Sequence, residues 1–130
     1  MNALLLIAHG SRREASNQEV RELAKKLAQV AGDRYGMVEA AFLELADPSI
    51  PDGVSHCVSA GATQVTAVPY FLSAGRHVAE DIPHELEVAA GRHPNVQIEQ
   101  SAYLGQHGAI ADLLLGLASK AGETTLTERS

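Results

Sequence analysis

Apolar positions along the chain follow two different periods, and the two alternate. Residues 3–9 (ALLLIAH), 37–45 (MVEAAFLEL), 64–72 (QVTAVPYFL) and 96–104 (VQIEQSAYL) are short runs rich in aliphatic and β-branched side chains, and they predict strands. The first is apolar at nearly every position, as expected of a strand buried on both faces of a parallel sheet. Between the runs the spacing becomes helical. Val20, Leu23, Ala24, Leu27 and Ala31 recur at i, i+3, i+4, i+7 and i+11, and Ile110, Leu113, Leu114, Leu117 and Ala121 repeat that spacing, so each series marks one apolar stripe. Ser16 followed by Glu19 predicts a capping box for the first helix, and Gly32 predicts its stop. A shorter second helix opens in DPSIP, residues 47–51, and carries Val54, Cys57 and Val58 before Gly61. The third contains Pro83, which leaves two readings: one turn that starts at His77 and breaks, or a helix that begins at Pro83.

Strand–helix alternation of this kind predicts an α/β fold: a three-layer αβα arrangement with a four-stranded parallel sheet and right-handed crossovers, for which the common strand order is 2-1-3-4. Residues 1–121 read as a single domain, with no repeat or linker, and 122–130 as a polar tail that frays. A chain of 130 residues is long enough to bury its own core. With two Phe, three Tyr and no Trp, that core must be aliphatic. The sole cysteine, Cys57, has no partner for a disulfide or a CxxC site and reads as core, so a cytoplasmic setting is expected. The opening apolar run is far too short to span a bilayer. A net charge of −6 argues against nucleic acid or an anionic membrane surface as partner, although Arg12, Arg13 and Arg76 supply local positive charge for an anionic small molecule.

In open parallel sheets, ligands bind beyond the carboxyl ends of the strands, where strand order reverses. With order 2-1-3-4 that point lies between strands one and three. His9, in HGSRR, follows the first strand and His77, in SAGRHVAED, follows the third, so the two imidazoles face one crevice. Two imidazoles with a nearby carboxylate suit a borderline divalent ion such as cobalt, nickel, zinc or ferrous iron. Glu44, closing the second strand run, and Glu80, three residues after His77, are the carboxylates within reach. Two or three protein ligands leave open coordination positions, as transfer or catalysis requires. His56, His84, His93 and His107 read as structural, and Tyr70, Phe71 and Tyr103 as packing residues.

The stretches LLLIAHGSRR, AFLELADPSIP, VTAVPYFLSAGRHVAEDIP and YLGQHGAIADLL together resemble the short, single-domain sirohydrochlorin chelatases of the class II chelatase superfamily, which insert a divalent metal into a tetrapyrrole. The resemblance runs in order along the chain to about Leu117. It implies a chelatase-like fold, His9 and His77 as the paired active-site and metal-binding histidines, Glu44 as an acidic helper with Glu80 less secure, and a homodimer. Metal insertion must desolvate the ion and remove two pyrrole protons, tasks that suit His9 and His77 with Glu44 or Glu80 orienting a ring or relaying protons. Ser11, Arg12, Arg13, Ser73 and Arg76 are the expected holders of the substrate's carboxylates. The metal is then a substrate: cobalt by resemblance, with nickel or iron also compatible. Some relatives carry a His-rich run and a cysteine-rich tail that this chain lacks, so no iron–sulfur cluster is expected. Gly108 replaces a proline that many relatives carry after the fourth-loop histidine, which weakens a role for His107. Two rivals remain at this point: a non-catalytic metal or tetrapyrrole carrier on the same fold, and a histidine phosphatase. The latter needs an arginine immediately before the histidine, where this chain has Ala8.

Overall fold

The computed structural model describes residues 1–121, and the tail expected over 122–130 lies outside the described residues. Strand β1 (Asn2–Ala8) leads to helix α1 (Glu14–Ala31), β2 (Met37–Phe42), α2 (Ile50–Ser59) and β3 (Gln64–Pro69). A π-helical turn, His77–Asp81, runs directly into α3 (Ile82–Arg92), followed by β4 (Gln97–Gln100) and α4 (Ile110–Lys120). The strands form one parallel sheet in the order β2-β1-β3-β4, matching the order expected from the sequence. β1 is central, with Ile7 opposite Ala41 on one side and Pro69 on the other.

Every strand ends earlier than its apolar run. β3 stops at Pro69; Tyr70 N–H still donates to Ile7 O at 2.7 Å, after which the chain leaves the sheet with Leu72 exposed and Phe71 packed on the core. The residues left over at the carboxyl edge, 43–45, 70–72 and 101–104, become the loops that frame the site.

Alternation along β1 divides the core in two. Ala3, Leu5 and Ile7 join Val54 and Cys57 of α2 and Ile82 and Leu86 of α3 on one face. Leu4, Leu6 and Ala8 meet Ala24 and the Val20, Leu23 and Leu27 stripe of α1 on the other. Each fully buried aliphatic or Phe side chain in these layers stabilises the fold by roughly 1.5–3 kcal/mol. Cys57 is fully buried, and burial pushes its thiol pKa up to about 12, as befits an inert core residue.

Helix ends follow the sequence unevenly. Gly32 closes α1 with φ of 58°, and Ser49 caps α2 by accepting the Asp52 N–H at 3.2 Å. The Ser16–Glu19 capping box does not form, because α1 begins two residues earlier, at Glu14. The entry is fixed from the preceding loop instead: Ser11 Oγ accepts the Arg13 N–H at 3.0 Å. Asn17 is 2% exposed; its side chain accepts the Ser11 N–H at 2.9 Å and donates to the Ser11 carbonyl at 2.8 Å. Both readings of the third helix prove partial. The chain is helical from His77 onward, and Pro83 sits in the first turn of the α-helical portion, where its missing N–H is tolerated.

α4 forms where the periodicity places it, yet none of its residues is buried. Leu113, Leu114, Leu115 and Leu117 are 58%, 61%, 67% and 68% exposed, since the helix packs mainly on the 3-10 turn Leu104–Gln106 that precedes it. No helix among the described residues is long and apolar enough to cross a membrane.

One surface pair carries a pH signature. The hydrogen bond between His56 Nδ1 and Glu39 Oε1, 2.9 Å, and the attraction between their charges raise the His56 pKa. A raised histidine pKa stabilises the fold fully below the unfolded value near 6.5, and the contribution is lost as pH rises through the folded value. Because the imidazole is 57% exposed, the effect is at most about 1 kcal/mol. His56→Gln is therefore expected to lower Tm at pH 5.5 by a few degrees and to leave it nearly unchanged at pH 9, measured by thermal melts. A uniform shift across pH would contradict this origin.

Candidate active site

The loops at the carboxyl edge of β1 and β3 bring His9 and His77 together, with ring centroids 4.6 Å apart in a T-shaped arrangement. His9 follows the end of the central strand. Its backbone is held by an extension of the parallel ladder, in which Leu43 N–H donates to Ala8 O and Glu44 N–H donates to His9 O, each at 3.0 Å. Glu44 is thereby fixed one strand away, its Oε1 3.3 Å from His9 Nε2. Gly10 is required at the next position: its φ is +96°, and a Cβ there would overlap the Glu44 carbonyl oxygen.

Hydrogen bonding assigns the same tautomer to both rings. The Gly10 carbonyl can only accept, so the 2.9 Å contact to His9 Nδ1 places a proton on that nitrogen. Asp81 Oδ2 lies 2.8 Å from His77 Nδ1 and likewise takes a donated N–H. Each neutral ring is left with a lone pair on Nε2. At His9 that lone pair faces the Glu44 carboxylate, an arrangement completed by a positive centre, either a proton or a metal ion. Among the described residues no three His, Cys, Asp or Glu side chains already converge as a metal cage. The pair is half exposed, His9 at 40% and His77 at 47%, so it remains accessible.

The acidic partner of His77 differs from the expectation. Glu80 turns toward Arg76, its Oε2 3.5 Å from the guanidinium Nε, and Asp81 takes the place beside the imidazole. His77 and Asp81 are four residues apart, and the wider π-helical turn carries both on one side. His84 and Glu85 also escaped the sequence reading. With Leu43, Glu44, His77 and Asp81 they line a cavity of about 230 Å³ beside the pair. The seven-residue interval from His77 to His84, close to two helical turns, was the available signal. Asn17 was missed as well; it clamps the Gly10–Ser11 loop from within α1.

Of the residues expected to hold carboxylates, Arg12, Arg13, Ser73 and Arg76 are exposed around the edge, and Ser11 is half-buried with its hydroxyl engaged at Arg13. His107 behaves structurally, its Nδ1 accepting the Ala109 N–H at 3.0 Å at the approach to α4. Phe71 stands 6.4 Å from the His77 ring, centroid to centroid, and packs on the core behind it.

Asp81 positions His77 through a single hydrogen bond, whereas Glu80 is committed elsewhere. Asp81→Asn is expected to weaken metal binding by about 10–100-fold, while Glu80→Gln leaves it within about threefold of wild type. Titration calorimetry with Co²⁺ checks this, and equal losses in the two variants would contradict it.

The fold is thus an α/β protein with a parallel sheet of order 2-1-3-4 that holds two accessible imidazoles and their carboxylates at its carboxyl edge. The chain belongs to the CbiX family, whose model matches residues 3–121. It is 38% identical over 113 residues to the sirohydrochlorin ferrochelatase, chloroplastic, of Arabidopsis thaliana, covering 87% of this chain and 49% of that protein. It is also 38% identical over 91 residues to the sirohydrochlorin cobaltochelatase of Methanococcus maripaludis, covering 70% of this chain and 62% of that one. The cobalt complex of the sirohydrochlorin chelatase SirB from Bacillus subtilis subspecies spizizenii superposes with a TM-score of 0.81 at 29% identity, over 92% of this chain and 50% of that one. The chain thus spans about half the length of several relatives that it matches.

Proposed function

We propose that this chain inserts a divalent metal ion into sirohydrochlorin or a closely related tetrapyrrole. The observation that carries the reading is the paired imidazoles, 4.6 Å apart, whose Nδ1 protons are committed to Gly10 O and Asp81, so that Nε2 remains for chemistry on each ring, that of His9 beside Glu44 Oε1 at 3.3 Å. Insertion exchanges a divalent cation for two pyrrole protons. Two neutral Nε2 atoms match that stoichiometry: they hold the incoming metal, and as it passes to the ring nitrogens they accept the protons released. Glu44 and Asp81 balance the imidazolium charge and hand protons to solvent. His84 and Glu85 give the cavity a further imidazole and carboxylate along that route.

The substrate face fits the same chemistry. Arg12, Arg13 and Arg76, with Ser11 and Ser73, ring the site with donors for the macrocycle's carboxylates. Leu45, Tyr70 and Leu72 are exposed on loops at the same edge, offering apolar surface to the ring plane. Residues 1–121 act as one unit in this reading, and a second copy encloses the macrocycle as a homodimer. Relatives named for cobalt and for iron support both metals as substrates; cobalt is the first choice, with iron and nickel compatible with the same ligands. A reducing setting such as the cytoplasm suits the unpaired thiol of Cys57.

The test is absorbance of sirohydrochlorin mixed with the purified chain and Co²⁺, Fe²⁺ or Ni²⁺ in turn. Insertion faster than the spontaneous reaction is expected with at least one metal. Tight binding of metal and macrocycle without acceleration would overturn the reading in favour of a carrier.

A further inference from the structure

A neutral His9 has one ring proton and two acceptors that compete for it. Gly10 O stands 2.9 Å from Nδ1, and Glu44 Oε1 stands 3.3 Å from Nε2. The carboxylate is charged and is by nature the stronger acceptor of the two. If it took the proton, Nε2 would be the protonated nitrogen, and the ring's one lone pair would turn toward Gly10. His77 has no such rivalry. Its Nδ1 meets Asp81 Oδ2 at 2.8 Å, and among the described residues no hydrogen bond or ion pair engages its Nε2.

The peptide that carries the Gly10 carbonyl is gripped from α1. Gly10 C=O and Ser11 N–H belong to one planar unit and point in opposite directions. On the far side that N–H donates to Asn17 Oδ1 at 2.9 Å, while Asn17 Nδ2 donates to Ser11 O at 2.8 Å. The orientation of the asparagine amide is fixed by this pairing, because an N–H can only donate and a carbonyl can only accept. Asn17 is 2% exposed, and among the described residues it is the one polar residue that the fold buries. The bonds form a relay, from Asn17 Oδ1 to Ser11 N–H and, across the peptide, from Gly10 O to His9 Nδ1. Donation by the N–H draws electron density onto the carbonyl oxygen of the same unit, which strengthens the bond that His9 makes there.

We propose that Asn17 is a positioning residue for the insertion chemistry: acting through the Gly10–Ser11 peptide, it keeps the His9 proton on Nδ1 against the pull of Glu44 and leaves Nε2 bare for the metal. The purpose of this arrangement rests on the proposed function, whereas its effect on the ring rests on hydrogen-bond geometry alone. An asparagine buried only to fold the loop would be indifferent to which ring nitrogen carries the proton.

The experiment labels the histidine rings of the full chain with nitrogen-15 and reads their tautomers by two-bond proton–nitrogen correlation, about two pH units above an ordinary histidine pKa. His9→Ala and His77→Ala assign the signals. In wild type both rings are expected to carry the proton on Nδ1, and a His9 protonated on Nε2 would overturn the proposal before any variant is made. Asn17→Leu removes both bonds to Ser11; His9 should move to the Nε2–H form while His77, the control within the same spectrum, stays as it was. Calorimetric affinity for Co²⁺ should then fall by about 10–100-fold, and kcat for insertion by a similar factor, with KM for the macrocycle within about threefold. Asn17→Asp keeps an acceptor for Ser11 N–H and gives up the donor to Ser11 O, so Tm should drop while His9 keeps its Nδ1 proton. Asn17→Val, smaller and equally apolar, stands in should Asn17→Leu fail to fold. A folded Asn17→Leu chain with His9 still protonated on Nδ1 would overturn the proposal. So would a tautomer that merely follows Tm through both variants, or a raised KM with kcat intact, which would reduce Asn17 to a support for the Arg12–Arg13 loop. The ring spectra and the Co²⁺ titration need no macrocycle. A shifted tautomer in a chain that never inserts metal would therefore uphold the relay and sink the functional reading, and insertion with an unmoved tautomer would do the reverse.

Discussion

Replacing His77 with alanine is expected to lower the insertion rate at least about 100-fold, the scale on which positioned acid–base groups act. His77 Nδ1 is held by Asp81 at 2.8 Å, so its Nε2 is aimed without a search over ring orientations; in the proposed function alanine removes metal ligand and proton acceptor at once. His9→Ala is expected to lose as much, because its Nε2 lies 3.3 Å from Glu44 and one ring cannot serve both sides of the exchange. If the rings work as a unit, the double variant will be little worse than the poorer single one. Neither substitution touches the core, so circular dichroism and Tm should stay near wild type. The measurement is stopped-flow absorbance of the macrocycle, and wild-type rates in both variants would sink the assignment.

Gly10→Ala should damage stability and activity together. The backbone there has φ of +96°, outside the range that side chains other than glycine adopt readily, and the added methyl would overlap the carbonyl oxygen of Glu44. Relief requires the His9 loop to move away from the Glu44 loop, opening the 3.0 Å bond between Glu44 N–H and His9 O. A penalty of roughly 3 kcal/mol is expected, corresponding to a Tm lower by about 10 °C for a domain of this size. Insertion at a temperature where the variant is still folded should also fall, since His9 and Glu44 lose their spacing. An alanine variant that melts with wild type would show that the two loops are less tightly packed than the structure has them.

Much of this was legible in the sequence because it depends on periods. The apolar runs and helical stripes gave the strand–helix alternation, and the order common to such sheets, 2-1-3-4, placed His9 and His77 at one crevice. What escaped depends on local geometry that periodicity does not encode. The i+3 spacing points to Glu80 as the partner of His77, but a helical face carries i+4 as well, and in the wider π-helical turn Asp81 meets the ring while Glu80 pairs with Arg76. Ser16 looked like a cap, but Asn17, buried and bonded both ways to Ser11, folds the preceding loop and lets the helix start earlier. The stripe of α4 announced a helix with an apolar side, yet periodicity carries no record of how deeply that side is buried, and its leucines stand exposed.

The rung joining Glu44 N–H to His9 O divides the site into a part locked by the sheet and a part free to change. Lengthening the segment at 73–76 leaves that rung in place, since β1 and β2 are registered against each other independently of it, whereas 45–49 is itself tied to the end of β2 through Phe42 N–H and Pro48 O at 2.9 Å. If the chain acts on a tetrapyrrole as proposed, the choice of macrocycle can therefore be engineered in the 73–76 loop while the histidine–glutamate pair stays where the sheet has set it.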